Sequence, residues 1–194
     1  MYYSQFSYMY IMIIKIILLI FVLLMILWFA LFAIILLLWP MITGFKKAPY
    51  VPSFDCHLSI MKRYLQLNKW SKIIDLGCGD GKVLRFFSKE FWLFCTWYDV
   101  NPLVIWYGKF SNRLLWYRDI VLIRSNFNKA PLHHYDYIYI YLWPEQLVSI
   151  EDWMFQNIWK NTIIISNSFT FAQHIPFDIL YDSHNKKVIY LYKK

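Results

Sequence analysis

Between Ile16 and Trp39 the chain carries no charged residue. At about 1.5 Å of rise per helical residue, a run of that length crosses the roughly 30 Å hydrocarbon core of a bilayer. We read one transmembrane helix over residues 10–39, preceded by a short flank, residues 1–9. Lys15 lies near its start, where a long stem can snorkel to the headgroups, and Tyr8, Tyr10 and Trp39 fall where interfacial aromatics are enriched, with Trp28 mid-span. A cleaved signal peptide fits less well, because the apolar run far exceeds a typical signal core and ends in Trp39-Pro40 with no small-x-small site. No cation precedes Lys15, whereas Lys46, Lys47, Lys62 and Arg63 follow the helix, so the positive-inside rule predicts a single-pass protein with its N-terminus outside and the rest in the cytoplasm.

The formal net charge is +8. A basic, tethered domain fits an anionic leaflet or a nucleic acid, and it fits mere solubility equally well. The three cysteines, Cys56, Cys78 and Cys95, form no CxxC pair, which fits a reducing compartment and gives no metal signature.

Residues 40–52 hold three prolines and a glycine and read as a linker, closing on Pro49-Tyr50-Val51-Pro52. Residues 53–194 read as one domain. Phe54, Leu58, Met61 and Leu65 fall at helical spacing, predicting a helix from Ser53, as N-cap, to Leu67. Strands and helices then alternate. Strands are expected at Lys72 to Leu76, Leu93 to Tyr98, "DIVLIRS", "YDYIYIYLW" and "NTIIISNSF". Helices are expected at Gly81 to Lys89, after Asn101-Pro102 with apolar positions Leu103, Trp106, Phe110 and Leu114, and at Glu145 to Trp159. The tail reads as two strands around Ser183-His184-Asn185-Lys186. Alternation predicts an α/β fold: a Rossmann-like parallel sheet with helices on both faces, ended by an antiparallel hairpin. The size of the domain leaves short or missing helices between strands three and four and between five and six.

The stretch "IIDLGCGDGK" holds Gly77, Gly79 and Gly81, three of the five glycines in the chain. A glycine turn between a first strand and its helix is where open α/β sheets bind ligands. The third glycine comes one residue too early for a dinucleotide fingerprint, and the Gly-Lys-Ser/Thr of a P-loop is absent. Asp75, an acid at the strand end, suits a ligand with an ammonium group better than a pyrophosphate.

"IDLGCGDG" resembles motif I of class I S-adenosylmethionine-dependent methyltransferases, where a strand-end acid leads into G-x-G-x-G around the methionine moiety. The resemblance implies S-adenosyl-L-methionine as cofactor, held by Asp75, Gly77, Cys78, Gly79 and Gly81. It implies that Asp99, with Val100 in "WYDVNP", meets the ribose hydroxyls, and that Asn126 and Phe127 touch the adenine. "YLWP", Tyr141 to Pro144, matches the position beside the transferred methyl; it lacks the Asn or Asp found in enzymes that methylate base amines, which counts against nucleic acid as substrate.

Over most of its length the chain is similar to the small membrane-anchored protein-lysine methyltransferases, whose mitochondrial members modify the ATP synthase c-subunit and the adenine nucleotide translocase. That likeness implies that Pro49 to Pro52 forms part of the active-site wall. This chain departs from the eukaryotic members in having Asn167-Ser168-Phe169 where they have Arg-Phe-Pro, and Asp rather than Glu after strand two. A lysine acceptor must lose its proton, and a dry aromatic site favours the neutral amine. Tyr50, Tyr141 and Trp143 are the candidate catalytic wall and Glu145 the candidate acceptor that steers the amine. Each also has a structural reading, as packing aromatics and as an acid at a helix N-terminus. His133-His134 have no third ligand at helical spacing, so no metal is expected. The expected partners are the bilayer and a protein at or near it. Two alternatives stay open: a small or lipid-like methyl acceptor, and a cofactor-binding membrane scaffold without catalysis.

Overall fold

The structure is a computed structural model; it describes the backbone of residues 2–43, 53–77 and 79–194, with side chains left undescribed at residues 2–9, 39–43 and 103. The chain divides into two units, Met1–Lys47 and Ala48–Lys194. The described residues of the first form a single helix, α1 (Tyr2–Thr43), longer at both ends than the expected span and continuing past Pro40. Its stretch Tyr10–Leu38 is long and apolar enough to cross a membrane, and none of it is buried.

The second unit is built on a seven-stranded sheet. Its strands are β1 (Lys72–Leu76), β2 (Phe94–Asp99), β3 (Ile120–Arg124), β4 (Tyr137–Ile140), β5 (Ile163–Asn167), β6 (Asp178–Tyr181) and β7 (Lys187–Lys193), in the order β3-β2-β1-β4-β5-β7-β6. β7 alone runs antiparallel to its neighbours. Parallel neighbours need crossovers, and the chain supplies them as α3 (Lys82–Phe91), α4 (Pro102–Leu114) and α5 (Pro144–Asn157). Between β3 and β4 only two single 3₁₀ turns fit, Phe127–Lys129 and Leu132–His134, and no helix joins β5 to β6. His133 and His134 lie exposed in the second turn.

Parallel central strands are covered on both faces, so their residues are apolar almost throughout. On one face Ile73, Trp97, Tyr139 and Ile165 pack against α2 (Asp55–Tyr64), α3 and α4 through Leu58, Met61, Leu84, Phe87 and Ile105. On the other Ile74, Leu76, Ile138 and Ile164 pack against α5 through Leu147, Ile150 and Met154.

Two local expectations change. Ser53 does not cap α2: the N-cap is Phe54, and Ser53 is buried with its hydroxyl 3.2 Å from that of Tyr139. In α4 the apolar stripe faces outward. Trp106, Phe110 and Leu114 are exposed, while Ile105, Gly108, Ser111 and Asn112 face the sheet. The indole of Trp97 accounts for this, since a Cβ atom built on Gly108 would fall 2.5 Å from its ring. With glycine at the point of closest approach, that face of α4 can lie over so large a side chain.

Candidate active site

The chain reverses its winding at β1, which pairs with β2 on one side and β4 on the other. In open α/β sheets the crevice at such a point, beyond the carboxyl ends of the strands, is where ligands bind. Gly77 and Gly79 stand there with positive φ of 87° and 56°, conformations that a side chain disfavours. The Gly77 N–H donates to the Tyr98 carbonyl (3.2 Å), which pins the turn to the end of β2. Gly81 ends the turn with φ 71° as the N-cap of α3, and its missing side chain makes room for Trp97 as well.

Electrostatics distinguish this turn from a phosphate cradle. Asp80 accepts the Lys82 N–H (3.0 Å), so the N-terminus of α3 already holds a carboxylate. Asp75 is buried, and its Oδ2 has no hydrogen-bond partner among the described residues. Burial pushes its carboxyl well above the usual range, and the nearby carboxylates of Asp99 and Asp80 push the same way. An orphaned, buried carboxylate with two acids beside it suits a ligand carrying an ammonium or sulfonium charge. Asp99 closes β2, its Oδ1 accepting the Asn101 N–H (2.8 Å), with Val100 half-buried just beyond.

Asn126 and Phe127 follow β3. The Asn126 side chain accepts the Asn128 N–H (3.1 Å) and so caps its own turn, while Phe127 packs half-buried against the α5 side of the core. Both therefore have the local roles that a loop asparagine and a core phenylalanine would have. Cys78, Tyr50 and the rest of Pro49 to Pro52 lie outside the described residues.

At the end of β4, Tyr141 and Trp143 meet Phe169, which the sequence marked only as part of Asn167-Ser168-Phe169 and to which no site role was given. Phe169 stacks on both, with ring centroids 6.4 Å from Tyr141 and 6.0 Å from Trp143. The turn that presents Phe169 is held tightly. Ser168 has φ 68°, rare for a residue with a side chain, its N–H donates to the Val188 carbonyl (2.8 Å), and Ser166 Oγ donates to the Phe169 carbonyl (2.7 Å). Glu145 sits exposed in the first turn of α5, just past Trp143, whose N–H donates to Gln146 Oε1 (3.3 Å).

Below this surface runs a buried polar network, also unforeseen. Asn167 Nδ2 donates to Tyr139 Oη (2.8 Å), Asn167 Oδ1 meets His57 Nδ1 (2.8 Å) and accepts from Ser168 Oγ (3.1 Å), and Tyr139 Oη meets Ser53. Lys82 adds a second tie, donating to the Ser53 carbonyl (3.2 Å) and pairing with Asp55 (2.7 Å). Together these bonds fix the point where the chain enters the domain against the glycine turn and the ends of β4 and β5.

A parallel sheet with an antiparallel terminal hairpin, a strand-end acid before G-x-G-x-G, and a second acid closing β2 define an S-adenosylmethionine-dependent class I methyltransferase. Solved structures share the architecture. An RNA methyltransferase from Salinibacter ruber, in complex with S-adenosyl-L-homocysteine, is 16% identical over 74% of this chain and 93% of its own, with a TM-score of 0.66. Precorrin-6y C5,15-methyltransferase from Geobacter metallireducens GS-15 is 13% identical over 78% of this chain and 95% of its own (TM-score 0.56). A methyltransferase from Thiobacillus denitrificans, also with S-adenosyl-L-homocysteine, is 17% identical over 71% and 57% (TM-score 0.54). At these identities the likeness is one of fold. No curated protein sequence matches the chain. The family model described as the ANTKMT methyltransferase domain matches residues 75–178, more than half of the chain, and the chain belongs to that family.

Proposed function

We propose that the protein is a membrane-tethered protein-lysine N-methyltransferase. The observation that carries the reading is the stacked surface of Tyr141, Phe169 and Trp143 just past the end of β4, the strand that pairs with β1 and its buried Asp75, whose Oδ2 has no partner among the described residues. Asp75 and Tyr139 are paired in the β1–β4 register, so the same register carried two residues on sets the glycine turn level with Tyr141.

When bound, S-adenosylmethionine supplies an electrophilic methyl on a positively charged sulfur. The residues present fit it. Asp75 would answer the positive charge of the methionine end, the turn of Gly77, Cys78, Gly79 and Gly81 would take it against the backbone, Asp99 and Val100 would hold the ribose, and Asn126 and Phe127 would border the adenine. The protein's part in the chemistry is alignment and exclusion of water. Tyr50, Tyr141 and Trp143, now joined by Phe169, wall a lysine acceptor and disfavour its ammonium form by desolvation. Glu145 at the rim attracts the incoming cation. By the family resemblance Pro49 to Pro52 would complete this wall. The apolar stretch of α1, read as a membrane span, keeps the domain close to substrates in or beside the bilayer, raising their effective concentration.

The test is incubation of the full chain with labelled S-adenosylmethionine and membranes, followed by fractionation and peptide mapping. Label on lysine of a membrane or membrane-adjacent protein is expected. Label confined to lipid, to a small molecule or to RNA would overturn the acceptor assignment.

A further inference from the structure

We propose that the outer face of α4 is a docking surface for an anionic lipid bilayer. The proposal rests on the reading of α1 as a membrane span. α4 is amphipathic in the opposite sense to a core helix: Trp106, Tyr107, Phe110 and Leu114 are all more than half exposed on one face, and Leu115 and Trp116 continue it. The rings of Trp106 and Phe110 stack at 6.0 Å in the open. A face this apolar needs a cover.

Three features select lipid as that cover. First, the composition is interfacial. Aromatic rings with polar edges are flanked by Lys109, Arg113 and Arg118, all exposed, and no acid occurs from Pro102 to Arg118. The arrangement complements a negatively charged leaflet, in which each cation near the surface adds attraction. Second, Trp116 holds φ 60°, a conformation normally left to glycine, with its ring 76% exposed and the Arg118 guanidinium 5.6 Å from it. That backbone is the left-handed turn that ends α4, closed by the Tyr117 N–H on the Asn112 carbonyl (2.9 Å), and it holds the ring outward beside a cation, in line with the aromatic face. Third, the chain between Thr43 and Ser53 extends at most about 36 Å, so a bilayer holding α1 lies within reach of the domain.

The experiment places p-benzoylphenylalanine, an aromatic photo-crosslinker, one site at a time at Phe21 in α1, at Phe110, and at Val148 on the exposed side of α5. The full chain is reconstituted in nanodiscs of phosphatidylcholine with phosphatidylglycerol, irradiated, and analysed by mass spectrometry. Lipid adducts are expected at Phe21 and at Phe110, several-fold above Val148. Replacing Lys109, Arg113 and Arg118 together by Glu should bring the Phe110 adducts down toward the Val148 level and leave Phe21 unchanged. Adducts at Phe21 with only the Val148 level at Phe110 would overturn the docking surface and leave the span standing. Phe110 adducts to a second copy or another protein would also overturn it. Lipid adducts at Phe110 without any at Phe21 would uphold docking and remove the span.

Discussion

The indole of Trp97 occupies the space that a methyl group on Gly108 would need, the Cβ position lying 2.5 Å from the ring. Trp97 is fully buried in β2 and Gly108 faces it from the middle of α4. Gly108→Ala should therefore destabilise the domain although alanine is the better helix former. Overpacking of this kind costs about 1–3 kcal/mol, against about 1 kcal/mol of propensity gained. A urea midpoint that falls, and recovers when Trp97→Phe is added, is the expected result.

Asp75→Asn should separate stability from binding. A carboxyl whose folded pKa is raised is bound to a proton more readily in the native state, so it destabilises the fold as pH rises above the ordinary carboxylate value. Without cofactor, Asp75→Asn should be more stable than the parent at neutral pH, the difference shrinking toward acid pH below the unfolded pKa. Affinity for S-adenosylmethionine should fall, and more steeply than for its uncharged-sulfur product. Thermal unfolding across pH, with calorimetric titration of both ligands, checks both halves.

Asp99→Ala should weaken both ligands about equally, since the ribose is common to them. Loss of a hydrogen bond to a charged group costs about 1.5–3 kcal/mol, or roughly 10- to 100-fold in affinity. Unchanged affinity in Asp99→Ala would refute the ribose assignment, whereas stronger binding of NAD than of S-adenosylmethionine to the parent protein would count against the cofactor itself.

Phe169→Ala and Trp143→Ala should act on the acceptor side. Cofactor affinity is expected to stay within a few-fold while turnover drops, because the rings border the proposed acceptor channel rather than the glycine turn. Calorimetry on each variant beside a methylation assay reads the split.

Glu151 holds the loop that follows this surface. It is fully buried in α5; its carboxylate accepts the N–H groups of Ala172, Gln173 and His174 at 3.0, 2.8 and 3.0 Å and meets His174 Nδ1 at 2.8 Å. Burial raises its pKa, but the bonds from His174 and the three backbone groups together outweigh that and leave it lowered. Its stabilisation is thus present above the ordinary glutamate pKa and lost as pH falls through the lowered one. Glu151→Gln should lower neutral-pH stability, flatten the acid limb of the stability profile, and open residues 168–177 to limited proteolysis.

What could be read from the residues alone follows sequence distance. Asp75, the three glycines and Asp99 are local signals tied to strand ends, and the sheet places them together at the switch point. The hairpin and the missing helices were legible for the same reason, because turn residues and spacing are local. The Ser53, His57, Tyr139 and Asn167 network joins residues 86 and 110 positions apart, and no periodicity announces it. Phe169 was hidden similarly, since a ring after a strand gives no hint of which rings it will meet. α4 misled for a different reason: its apolar period is real, but hydropathy alone assumes that apolar means inward. Trp97 admits only the small side of that helix, and the aromatic side is left facing out.

The strand order has a kinetic corollary. β7, which follows every other element in the chain, is not an edge strand but is inserted between β5 and β6. β6 has no other partner in the sheet, so it is not hydrogen-bonded into it until β7 arrives, and β5 presents an open antiparallel edge until then. A chain synthesised from its N-terminus therefore carries that open edge from the completion of β5 at Asn167 until β7 begins at Lys187, and closure of the sheet waits on its last described strand.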